Sequence, residues 1–186
     1  MNNLSSNILK KVLLKNRQVL IVRPPKIDDA EAIIKYLNMV GGESDNLLFG
    51  KDDLSITIEQ EKLLINNINN DPNCFMILGI IGNTIVSISQ ISSPFRKRIC
   101  HNSEIAISVR RDFWNIGIGS IMLRVLIDYA KTKGTIRNIT LKVKASNTRA
   151  MYLYKKLGFK VVGIHKNYFN INEKYDDAIL MEQYIW

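Results

Sequence analysis

Cysteine and histidine are scarce in this sequence. Its 186 residues hold two of each: Cys74 and Cys100, His101 and His165. The cysteines are far apart and have no CxxC spacing. That pattern argues against a disulfide framework and against a zinc site, and leaves two buried free thiols of a reducing compartment. No HExxH occurs, and no carboxylate cluster has EF-hand spacing, so no metal is expected. Long apolar runs are also missing. The longest, "CFMILGII", falls well short of the roughly 20 residues that cross a bilayer. The N-terminal "MNNLSSNILKKVLLKN" has lysines within its apolar stretch and no small-residue cleavage site, so it does not read as a signal peptide. These absences point to a cytoplasmic protein without a membrane partner. Linkers, low-complexity tracts and internal repeats are absent too, and one domain over 1–186 is expected.

The composition supplies a core. Hydrophobic residues make up 46% and charged residues 23%, which is ordinary globular usage. Lys and Arg number 26 against 17 Asp and Glu, a net charge of +9. Such a surplus suits an anionic partner: nucleic acid, a membrane surface or a phosphorylated small molecule. It suits equally a merely soluble surface in a sequence rich in Ile, Asn and Lys.

Strands and helices alternate along the chain. "VLLKNRQVLIVR" (12–23) predicts two short strands about Lys15-Asn16-Arg17. In "DDAEAIIKYL", Asp28 and Glu31 have capping-box spacing, and Ala30, Ile33, Ile34 and Leu37 share a face. Residues 41–54, with Gly41, Gly42 and Gly50, read as a loop. A second helix is expected from Thr57, with Gln60 in the box position, to Asn67. "CFMILGI" and "TIVSISQIS" form a hairpin about Ile81-Gly82-Asn83. A basic turn, "SPFRKR", leads to the strand "EIAISV". A strongly periodic helix follows, with Ile118, Ile121, Met122, Val125, Leu126 and Tyr129 on one face and Gly134 at its end. Then come the strand "NITLKVK", the helix "NTRAMYLYKKLG" and a closing hairpin about Asn172-Glu173.

The stretch "FWNIGIGSIML" (113–123) carries the chemistry. A strand, a Gly-X-Gly turn and an amphipathic helix together make an anion site. The first N–H groups of the helix point outward, the helix dipole favours negative charge, and glycine admits a phosphate close to the backbone. A dinucleotide fingerprint is excluded because its third glycine position is Met122, and GxxxxGK[ST] occurs nowhere. By itself the motif is weak, because a Gly-X-Gly turn often serves only tight helix packing.

The wider constellation is more specific. "EIAISVRRDFWNIGIGSIML", the strand "ITLKV" and then "NTRAMYLYKKLGF" resemble the core of the GNAT superfamily of acetyl-CoA-dependent N-acetyltransferases. That family pattern has a [QR]xxGx[GA] turn and an Asn-xx-Ala-xxx-Tyr-xxx-Gly-Phe helix end. Here the second part is complete, as Asn147, Ala150, Tyr154, Gly158 and Phe159. The resemblance covers 104–186 well. The N-terminal half fits more loosely, through "VRPPKIDDAEAI". The Gln/Arg position of the turn is Trp114. In the family the backbone N–H groups of the turn hold the pyrophosphate, so cofactor binding is still implied.

The resemblance implies an α/β fold of the α+β type. A mixed, mostly antiparallel sheet of about seven strands, flanked by about four helices, would hold a cofactor cleft between two splayed parallel strands. Acetyl-CoA would pair its pantetheine arm with backbone at Ile107 to Val109. Its pyrophosphate would lie over Asn115, Ile116, Gly117, Ile118, Gly119 and Ser120, and Trp114, Asn147, Ala150 and Tyr154 would also contact the cofactor. The implied reaction is direct transfer of the acetyl group to a primary amine through a tetrahedral intermediate. Glu104 would act as base, directly or through water, and Tyr154 as the acid that protonates sulfur. Asp112 is a weaker base candidate. Read as residues alone, Glu104 is also a solvated strand-end carboxylate, Tyr154 a core aromatic and Asn147 a helix N-cap.

The implied partners are acetyl-CoA and an amine acceptor, small molecule or protein, and a homodimer is allowed. Residues 36–60 and the 166–176 hairpin should frame the acceptor pocket, with Tyr152 and Tyr168 as candidate lining. His101 and His165 read as ordinary surface or strand residues. Two other classes compete: a basic nucleic-acid-binding module, and an acetyl-CoA-binding sensor without catalysis. Against the first, the basic residues are scattered, and no helix-turn-helix, zinc-finger or RNP-like signature appears.

Overall fold

The computed structural model of the chain describes residues 8–185. The expectations for residues 1–7, within the N-terminal reading, and for Trp186 lie outside them. Eight strands form one sheet: Lys10–Leu13 (β1), Val19–Arg23 (β2), Cys74–Ile81 (β3), Thr84–Ser92 (β4), Asn102–Val109 (β5), Asn138–Lys144 (β6), Lys160–Ile171 (β7) and Lys174–Tyr184 (β8). Four α-helices accompany them: Ala30–Glu43 (α1), Ile58–Asn70 (α2), Ile118–Lys133 (α3) and Thr148–Lys156 (α4). The spatial order is β1-β2-β3-β4-β5-β6-β8-β7. Only β5 and β6 run parallel; every other pair is antiparallel.

The alternation of β3 divides the core in two. Successive strand residues point to opposite faces. Ile77 packs with Met122, Leu126, Ile139 and Met181 on the α3 side. Leu78 packs with Ile33, Tyr36, Val40 and Ile65 on the side of α1 and α2.

β5 and β6 pair only through Asn102↔Asn138, Ser103↔Ile139 and Glu104↔Thr140. Beyond that rung β5 stays with β4 as far as Val109↔Ser87, and β6 stays with β8 as far as Lys144↔Ala178. The two strands therefore part like the arms of a V, each held by its outer neighbour.

Several local readings change. The Asp28–Glu31 capping box does not form. Residues Ile27–Asp29 make a 3-10 turn, and Asp29 precedes α1 without a side-chain cap bond. Its carboxylate is already engaged: it accepts from Arg23 at 2.6 and 2.8 Å and from the Lys26 N–H at 2.6 Å. Glu31 pairs instead with Lys35. Helix α1 also runs through Gly41 and Gly42 to Glu43, where a loop was expected. A Cβ on Gly41 would lie 2.4 Å from the Gly50 carbonyl oxygen, so the glycine lets residue 50 close against the helix. The Glu43 carboxylate then accepts the Arg111 N–H at 2.7 Å, which ties the end of α1 to the segment after β5. Helix α2 begins with the expected Thr57–Gln60 box and ends at Asn70, three residues past Asn67.

Both cysteines are free and half-buried. No described helix is long and apolar enough to cross a membrane. Among the described residues no group of three or more His, Cys, Asp and Glu is gathered where it could hold a metal ion.

Candidate active site

The parting of β5 and β6 opens a cavity of about 730 Å³. Its walls include β5, β6, the turn before α3, the start of α4, and α1 and α2 with the loop between them.

One end of the cavity is formed by the turn before α3 and the first residues of that helix. Gly117 adopts φ 97°, a left-handed conformation that costs glycine little, and α3 starts at the next residue. Asn115 also has positive φ, at 64°. Ile121 N bonds to Gly117 O at 3.1 Å. The N–H groups of Ile118, Gly119 and Ser120 precede the first helical bond and have no backbone acceptor among the described residues. The first turn of α3 carries no acidic residue. Gly119 has an additional reason to be glycine: a Cβ there would meet Leu153 Cδ2 of α4 at 3.1 Å. Helix packing thus explains Gly119, and the backbone turn explains Gly117.

Trp114 has a task of its own. Its indole Nε1 donates to the Val109 carbonyl at 2.7 Å, which closes the end of β5 onto the turn. The Arg149 guanidinium of α4 stacks on the indole face, 3.6 Å from the ring centroid. Partial burial lowers the pKa of Arg149. The stack joins the turn to the start of α4 across the mouth of the cavity.

Asn147 caps α4, accepting the Ala150 N–H through Oδ1 at 3.2 Å. Asn147, Ala150 and Tyr154 all line the cavity, as do Ile107, Val109, Trp114, Asn115, Gly117, Ile118, Gly119 and Ser120. Ile116 does not; it packs against the apolar core. Tyr154 is 8% exposed and meets Phe159 edge-to-face at 5.9 Å. Burial pushes its phenol up to about 12.

Glu104 stands on the last paired rung of β5 and β6 and lines the cavity. It is not a solitary carboxylate: Lys142 Nζ donates to Oε1 at 2.8 Å. That hydrogen bond raises the Lys142 pKa, so the amine stays charged at neutral pH. Asp112 is exposed, pairs with Arg110 at 3.2 Å and lies outside the lining.

The far side of the cavity comes from α1, α2 and residues 44–56, including Leu37, Val40, Leu47, Phe49, Leu64 and Ile68. From the 166–176 hairpin only Phe169 reaches this cavity. Tyr152 lines it at 70% exposure; Tyr168 does not line it and packs on His165 and Phe169. Lys142, Arg149 and Glu61 were not singled out from the sequence. Lys142 takes an outward position in an alternating strand and so reads as solvated. Glu61 carried a signal: it falls four residues before Ile65 on the inner face of α2.

Residues 22–180 match the family model of the acetyltransferase (GNAT) domain, and the chain belongs to that family. An acetyltransferase of the GNAT family from Streptococcus pneumoniae has the same fold. It is 30% identical with a TM-score of 0.86, over 90% of this chain and 99% of that one. A GNAT superfamily phosphinothricin acetyltransferase from Sinorhizobium meliloti, solved in complex with AcCoA, shares the fold at 14% identity. Its TM-score is 0.76, over 94% of this chain and 89% of that one. Among curated proteins, the [ribosomal protein bS18]-alanine N-acetyltransferase of Salmonella typhimurium is 40% identical over 75 residues, which is 40% of this chain. The match spans about half the length of that relative.

Proposed function

We propose that this protein is an N-acetyltransferase that moves the acetyl group of acetyl-CoA to a primary amine by direct attack. The observation that carries this reading is the convergence in one cavity of three parts: the unbonded N–H groups at the start of α3, the unpaired edge of β5 beyond Glu104, and Tyr154. A pyrophosphate fits the first, through backbone donors and the helix dipole. An extended pantetheine amide chain fits the second as an added strand. Trp114 already occupies the Val109 carbonyl, which leaves the edge nearer Ile107 for that pairing. Asn147 uses its oxygen as a cap and keeps its amide N–H groups for the ligand.

The attacking amine must be neutral. Glu104 takes its proton, directly or through water. The amine nitrogen then bonds to the acetyl carbon, and the carbonyl becomes an oxyanion. Collapse of that intermediate breaks the carbon–sulfur bond; the Tyr154 phenol gives its proton to sulfur, and the phenolate regains one as the nitrogen sheds its extra proton, leaving a neutral amide and CoA thiol. Lys142 holds the Glu104 carboxylate in place and keeps positive charge beside it. The acceptor is an amine at a protein N-terminus, as in the bS18-alanine relative, or on a small molecule.

The test is direct. Acetyl-CoA and CoA should raise the melting temperature by mass action. A panel of amines, from N-terminal alanine peptides to amino acids and polyamines, should release CoA thiol with at least one member. A protein that acetyl-CoA does not stabilise would overturn the reading. A protein that binds it but turns over no amine would be a sensor.

A further inference from the structure

Glu61 is 1% exposed, and its Oε2 has no hydrogen-bond partner among the described residues. It sits on the inner face of α2, lines the cavity, and has Ile65 one turn below it. Desolvation raises its pKa, as expected for a carboxyl without a partner. An orphan carboxylate in an apolar wall is costly, and it is also the group that gains most from an arriving cation.

Its position relative to Glu104 follows from the sheet. Met76, Gln90 and Ala106 pair across β3, β4 and β5 and share one face. Met76 packs on the α1/α2 side, so Ala106 faces that side, and so does Glu104 two residues earlier. Helix α2 packs over β3. Glu61, on the helix that packs over β3, and Glu104, on β5, therefore belong to the same side of the sheet and line one cavity.

We propose that Glu61 is the specificity group of the acceptor site: it receives a second cationic group of the acceptor while the reacting amine lies near Glu104. The acceptor class is a compound with two amines separated by an apolar stretch. The floor between the two carboxylates, through Met76, Ile88 and Ala106, suits that stretch. This inference rests on the acetyltransferase reading.

The probes are 1,6-diaminohexane and heptylamine, which match in length and differ in the second charge. In the wild type the diamine should have a KM about tenfold or more below that of heptylamine, the scale of one charged hydrogen bond. Glu61→Gln should erase that preference, through KM rather than kcat, with the CoA-induced melting shift retained. Glu61→Leu should also lose the preference and, by removing a buried orphan carboxylate, melt higher than the wild type without ligand. Equal KM values in the wild type, or a preference that survives in Glu61→Gln, would overturn the proposal. So would failure of the diamine both to react and to stabilise the CoA complex. Failure of CoA itself to stabilise the wild type would strike the acetyltransferase reading instead.

Discussion

Lys142 Nζ lies 2.8 Å from Glu104 Oε1, just past the last rung that joins β5 to β6. The side chains are 36% and 53% exposed, so the pair adds little to stability, about 0.2–1 kcal/mol. Its place at the opening of the cavity gives it more weight as a way of fixing a carboxylate.

Glu104→Gln should therefore lower turnover with little effect on melting temperature or CoA affinity. The loss expected of a missing base is about 10²-fold or more near neutrality. It should shrink as pH rises, because the amine then loses its proton unaided. A pH–rate profile measured beside the wild type checks this, and parallel profiles of equal height would remove Glu104 from the mechanism.

Ser120→Asp separates cofactor binding from folding. An acidic residue in the first turn of α3 complements the dipole and should raise stability by about 0.3–1 kcal/mol. The same charge would face the pyrophosphate and repel it. Thermal melts should show a higher melting temperature without ligand and little further rise with CoA. A full CoA-induced shift in this variant would place the phosphates elsewhere. Gly119→Asp is a poorer probe, because Leu153 already fills the space its Cβ would need.

Tyr154→Phe keeps the ring among its neighbours and removes the hydroxyl. Turnover should fall, by about 10²–10⁴-fold at most, while acetyl-CoA affinity holds. The phenol also links stability to pH. Its native pKa is raised to about 12 from an ordinary 10, so the unfolded chain gives up the proton first. The resulting stability is present below pH 10 and is lost as pH climbs from 10 toward 12. Melts at pH 8 and pH 11 should show a smaller alkaline drop in Tyr154→Phe than in the wild type. Full turnover in a stable variant would leave Tyr154 as a core aromatic only.

The local pattern was enough to read most elements. The period of α3, with Gly134 at its end, and the two-residue turns at Gly82-Asn83 and Asn172-Glu173 depend on nearest neighbours in the chain, so composition and spacing expose them. The glycine turn before α3 could be read locally as a candidate anion site, whereas the Asn147–Phe159 segment was singled out through its resemblance to the family pattern. Other features depended on what lies across space. Asp29 is consumed by Arg23 and so cannot cap, and α1 continues through two glycines because Gly50 and Arg111 meet its end. Trp114 looked like a neutral departure until its N–H was found on the Val109 carbonyl. Lys142 reads as a solvated strand residue, and Glu61 as a polar break in an apolar stripe. Only the pairing of β5 with β6 at the Glu104↔Thr140 rung brings Lys142 to Glu104, and only the packing of α2 over the sheet buries Glu61 against the same cavity. Sequence periodicity reports which face of an element is apolar. It does not report which partner that face meets, and the electrostatics of the site depend on those partners.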